Sequence, residues 1–141
     1  MGVKGNVIIQ DFEILTRANQ FKKAVDVLKN ERNMAIPLEM NVCFACELYL
    51  KYLVNYKKKN REAADSRDLI SGHNLKVLYD ELSDNIKQEI KNQMEEGFEK
   101  RLESVSLNFQ EVRYEYEYEK VTFSPFFLLE FANILSDICN R

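Results

Sequence analysis

The sequence predicts an all-α fold, a single domain over residues 1–141 built as an up-down bundle of four to five helices. Three observations carry that expectation. The chain has only four glycines and two prolines in 141 residues, so little in it interrupts a helix. Apolar residues recur at three- and four-residue steps over long stretches, the spacing that builds one helix face. A hydrophobic fraction of 45% beside a charged fraction of 30% suits one globular core, which a chain of this length can bury without disulfides or metal.

The first helix is expected from about Asp11 to Asn30, with Asp11 as N-cap and Phe12, Leu15, Ala18, Phe21, Val25 and Leu28 on its apolar face. Residues 1–10 are expected to form a poorly ordered segment ahead of it. The second begins near Pro37, which a first helical turn tolerates, and runs through "LEMNVCFACELYLKYLVNYKKK". Its centre is apolar round most of its circumference, as befits the middle helix of a bundle. "NREAADSRDLISG" reads as a polar loop. His73 or Asn74 then starts a short helix carrying Leu75, Leu78, Tyr79 and Leu82. Ser83 is a good N-cap for the next helix, whose Ile86, Ile90, Met94, Phe98 and Leu102 extend it to about Tyr118. The weaker helix formers Ser104, Val105, Ser106 and Asn108 mark a kink or break within it. The last helix has Ser124 as N-cap, Pro125 in first position, and Phe127, Leu128, Phe131, Ile134, Leu135 and Ile138 facing inward. "VRYEYEYEKVTF", residues 112–123, alternates like a strand. Without a partner strand it is read as a helix end leading into an extended segment.

A net charge of -3 gives no overall attraction to nucleic acid, so any RNA contact would have to be local. "YKKKNR", Tyr56 to Arg61, is the best such patch, although cations also favour helix C-termini. No run of apolar residues is long enough to span a membrane, and the N-terminus lacks the pattern of a signal peptide, so a cytoplasmic protein with no membrane partner is expected. Three cysteines, an odd number, argue against a secreted disulfide framework. Cys43 and Cys46 form a C-x-x-C inside the apolar helix, with only Cys139 and His73 as conceivable further ligands. They are read as packing residues, and neither a metal nor another cofactor is expected. Glu95, Glu96, Glu99 and Glu103, alternating with Lys100 and Arg101, read as a solvated helix face.

His73 is the single histidine and carries two readings, a helix-starting residue that fixes packing or a proton-transfer group. Glu47 is the second singular residue, a carboxylate between Cys46 and Leu48 on the most apolar helix, where burial is costly unless it is paired. Lys51 follows by four residues and can pair with it along the helix. Glu47, Lys51, His73, Arg113 and Tyr114 therefore form the candidate ligand-binding or structural cluster. His73 with Arg67 is the candidate catalytic pair.

"FACELYLKYLV" at 44–54, "SGHNLKVLYDEL" at 71–82, and "VRYEYE" followed by "FSPFFLLEFANIL" together resemble the HEPN superfamily, the higher eukaryotes and prokaryotes nucleotide-binding helical domains. The resemblance runs from about residue 11 to the end. The family's E-x-x-x-K helix corresponds to Glu47 and Lys51, and its H-x-L-x-x-L element to His73, Leu75 and Leu78. It implies a helical bundle that often dimerises. Many members are metal-independent RNases of toxin–antitoxin and phage-defence systems, with an R-x(4–6)-H signature on a late helix. From Ser83 onward this chain has Arg101, Arg113 and Arg141 but no histidine, so the signature is missing from that place. The spacing recurs only as Arg67 to His73 in "RDLISGH". The resulting expectation is a non-catalytic HEPN-like module that binds a protein partner or a nucleotide-like ligand as a homodimer. The alternative is a divergent RNase using His73 with Arg67 or Arg113.

Overall fold

The structure, a computed structural model, describes residues 2–64, 74–112 and 125–141. These residues form seven helices and no strand: α1 (Gly2–Leu28), α2 (Ala35–Val54), α3 (Tyr56–Glu62), α4 (Leu75–Asp80), α5 (Asp84–Gln93), α6 (Phe98–Val112) and α7 (Pro125–Cys139). The all-α class follows directly. The extra helices arise where two long helices expected from the apolar spacing are each cut in two.

The first cut falls at Asn55, whose backbone is left-handed at φ 59° and ψ 49°. Asparagine tolerates this conformation better than most residues, and its N–H closes α2 on the carbonyls of Lys51 and Tyr52. Helical spacing continues across the break, which is why "LVNYKKK" reads as one helix. The second cut spans Met94–Gly97 between α5 and α6: Met94 leaves the helix in an extended conformation at φ −101° and ψ 161°, and Gly97, at φ +85°, directly precedes α6. The expected break around Ser104–Asn108 is absent, and α6 runs straight through it. Ser106 is accommodated because its Oγ donates to the Leu102 carbonyl at 2.6 Å and accepts the Lys76 N–H at 3.0 Å, tying α6 to the start of α4.

Two caps match their sequence signals. The Asn74 side chain accepts the Val77 N–H to start α4, and Ser83 does the same for Ile86 at α5. Asp11 lies within α1 rather than at its start. Ser124 and the Tyr-Glu stretch over 113–124 lie outside the described residues.

Helix α2 is central and packs against α1, α7, α4 and α6. It runs antiparallel to α1: Phe21 meets Phe44 with ring centroids 5.4 Å apart, while earlier residues of α1 meet later ones of α2. The buried face of α1 is Ile14, Ala18 and Val25, flanked by Leu15 and Phe21. Phe12 lies roughly 120° round the helix from Ala18 at 100° per residue, and it is 65% exposed rather than inward. Phe127, Leu128, Phe131, Ile134 and Leu135 of α7 are buried as expected, with Ile138 partly so. An aromatic chain from Tyr79 through Phe98 and Phe131 to Phe127 joins α4, α6 and α7, with ring centroids 5.4 to 6.4 Å apart.

Polar groups lock the other side of the core. Asn19 of α1 and Asn140, just past α7, exchange amide hydrogen bonds at 2.9 and 3.0 Å. The buried Tyr49 hydroxyl of α2 donates to the Asn19 Oδ1 at 2.7 Å. Three helices thus meet at one network, and its phenol is held above its ordinary pKa by burial.

Candidate functional site

Helix α2 carries apolar residues round most of its circumference, so a carboxylate at its centre needs a partner. Glu47 is only 6% exposed, and its Oε2 accepts a hydrogen bond from Lys51 Nζ at 3.2 Å, one helical turn on. The bond fixes the lysine, whose ammonium then lies 4.7 Å from the centroid of the Tyr56 ring. Tyr56 stands there because Asn55 turns the chain into α3 directly after α2.

Lys51 and Tyr56 form one wall of a hollow of about 310 Å³, completed by Leu48 and, from α1, Glu13, Ile14 and Arg17. The antiparallel pairing of α1 and α2 brings Arg17 beside Lys51. Arg17 is exposed and makes no ion pair among the described residues. Lys51 has three donors, of which Glu47 takes one. The hollow therefore combines two cations, an aromatic ring, two aliphatic side chains and a carboxylate. Such a lining suits a small anion that carries a flat or apolar part.

Of the residues expected at the site, Glu47 and Lys51 are brought together as the helical spacing predicts. His73, Arg67, Arg113 and Tyr114 lie outside the described residues. Arg17 and Glu13 were not anticipated, because only the register of α1 against α2 places them there. In the sequence Tyr56 stands out only as part of the basic stretch. In that stretch Lys58, Lys59 and Arg61 are exposed, and Lys59 Nζ donates to the Glu81 carbonyl at 3.3 Å, which ties α3 to the end of α4.

The cysteines are core residues. Cys43 and Cys46 are fully buried; the Cys46 thiol donates to the Leu128 carbonyl and that of Cys139 to the Tyr49 carbonyl, both at 3.8 Å. Burial pushes the Cys46 thiol far above its ordinary pKa and that of Cys139 up to about 12. Neither provides the thiolate that nucleophilic or metal chemistry needs at neutral pH. Among the described residues, no helix is long and apolar enough to cross a membrane, and no three His, Cys, Asp or Glu side chains are grouped to hold a metal ion.

In comparisons with protein-family models, curated proteins and solved structures, the chain matches none.

Proposed function

We propose that this chain is a non-catalytic HEPN-like helical module that binds a nucleotide-like ligand in the hollow between α1 and α2. One observation carries the reading: Arg17 and Lys51, from two different helices, converge on a hollow that also holds the Tyr56 ring. A phosphate fits the two cations, which approach it with a guanidinium fork and an ammonium. A base fits against Tyr56 and Leu48. The Glu13 carboxylate is an acceptor for a sugar hydroxyl. At about 310 Å³ the hollow lies at the lower end of the range for small-molecule sites. Glu47 has the positioning role, since it holds Lys51 from beneath.

The reading includes a homodimer formed through α1, where Phe12 and Val27 are exposed apolar side chains. It also assigns His73 no catalytic role.

Thermal-shift titration with adenosine, inorganic phosphate, AMP and ATP tests the ligand reading. AMP or ATP is expected to raise the melting temperature, with adenosine and phosphate each weaker. No shift with any of the four at millimolar concentration overturns it. In parallel, metal-free incubation with labelled RNA is expected to leave the RNA intact. Cleavage that disappears in His73→Ala would replace this reading with the RNase.

A further inference from the structure

The opposite charge character is found where α5, α6 and α7 meet. Met94, Phe98 and Phe127 form the floor of a hollow of about 180 Å³, and Glu95, Glu96, Arg101, Phe126 and Glu130 form its rim. Phe126, in the first turn of α7, is 80% exposed, the most exposed large apolar side chain of the described residues. Its neighbour Phe127 is buried, so the two rings divide between core and surface.

The charges on the rim are unbalanced. Arg101 lies over the Phe127 ring at 4.8 Å. Glu95, Glu96 and Glu130 make no ion pair among the described residues, whereas nearby Glu99 pairs with Lys91 at 3.1 Å and Glu89 with Arg141. Glu95 and Glu96 precede α6, where negative charge complements the helix dipole. Glu130, on the second turn of α7, pairs with no cation among the described residues, and Phe126 beside it is exposed.

We propose that this groove docks a cationic amphipathic helix of a partner protein, its apolar face on Phe126 and the Met94–Phe98 floor and its Lys or Arg residues against Glu95, Glu96 and Glu130. Charge complementarity selects this occupant. An acidic segment would meet three carboxylates against one guanidinium, and two such grooves from two copies would repel each other. A helix laid in a groove also uses a few apolar anchors and a charged border, which are the two features present. The site shares no residue with the Arg17–Lys51 hollow, so either can fail alone.

The test uses two fluorescein-labelled synthetic helices with the same leucine spacing, one with lysines on its polar face and one with glutamates. Anisotropy titrations are run with the wild type, Phe126→Ala, the double variant Glu95→Lys/Glu96→Lys, and Glu31→Lys as a distant charge-reversal control. The lysine helix is expected to bind and the glutamate helix not. Loss of the Phe126 anchor is expected to weaken binding about tenfold, the size of one interfacial aromatic. The double variant is expected to weaken it about tenfold or more and to flatten the salt dependence, with Glu31→Lys close to wild type. Equal binding of both helices, equal weakening by Glu31→Lys, no effect of Phe126→Ala, or no binding of the lysine helix overturns the proposal. So does a fall of several degrees in the melting temperature of Phe126→Ala alone, because the ring would then be covered by the chain itself.

Discussion

Replacing Lys51 with methionine keeps the apolar stem and removes the ammonium that Glu47 holds at 3.2 Å. The Lys51 side chain is 15% exposed and that of Glu47 7%, so the pair lies nearer the buried than the exposed limit. Exposed pairs contribute about 0.2–1 kcal/mol, while breaking a buried pair costs about 3–5 kcal/mol because one charge stays behind. With one edge of the pair open to the hollow, the expected loss for Lys51→Met is about 1–3 kcal/mol. For a chain of this size that corresponds to a fall in Tm of about 3–9 °C. Urea denaturation with an unchanged m-value is the assay. Adding Glu47→Gln removes the carboxylate's charge as well, and the double variant is expected to lose about 1 kcal/mol less than the sum of the two single losses. A Lys51→Met protein as stable as wild type, or a double variant whose loss is the sum of the two single losses, would refute the idea that the Glu47–Lys51 pair stabilises α2.

Three further outcomes follow from the packing. Tyr49→Phe removes the donor to Asn19 and is expected to cost about 1–1.5 kcal/mol in urea denaturation, with faster amide exchange where α1, α2 and α7 meet. Asn55→Ala, forced into a left-handed backbone at φ 59°, is expected to lose about 1–2 kcal/mol in thermal unfolding, and Asn55→Gly, which takes that backbone without strain, to be more stable than Asn55→Ala. Stability is expected to fall as pH rises above about 9, since the unfolded chain releases thiol protons that the fold retains at Cys46 and Cys139. For Cys139 the loss is complete near pH 12, and each such group contributes a slope of up to about 1.4 kcal/mol per pH unit. Denaturation curves between pH 8 and 11 measure it, and Cys139→Ala is expected to reduce the slope.

Helix identity was legible because apolar residues on α2 and α7 follow the helical period and because Asn74, Ser83 and Pro125 are strong local start signals. The places where helices stop were less so. Asn55 ends α2 and Met94 ends α5 by backbone conformation while the apolar pattern continues past them, and Ser106 looks like a breaker until its bonds to Leu102 and Lys76 are seen. Phe12 was misplaced on α1 because three- and four-residue steps can be counted from more than one starting residue. Only the fit against α2 selects the stripe of Ile14, Ala18 and Val25. The same reasoning applies to the candidate site. Glu47 and Lys51 share one helix, so their spacing alone pairs them. Arg17 comes from another helix, and no local pattern in "EILTRANQF" marks it as a neighbour of Lys51.

Isothermal titration of AMP into the wild type and into Arg17→Ala tests the proposed function most directly. Arg17 is exposed and makes no ion pair among the described residues, so its loss is expected to leave the fold intact while removing one of the two cations. Saturable binding by the wild type, weakened about tenfold or more in Arg17→Ala at equal stability, is the predicted result, in keeping with a charge-assisted hydrogen bond of about 1.5–3 kcal/mol. Equal affinity in the two proteins, or no heat of binding in the wild type at millimolar AMP, would contradict a nucleotide-like ligand in the α1–α2 hollow.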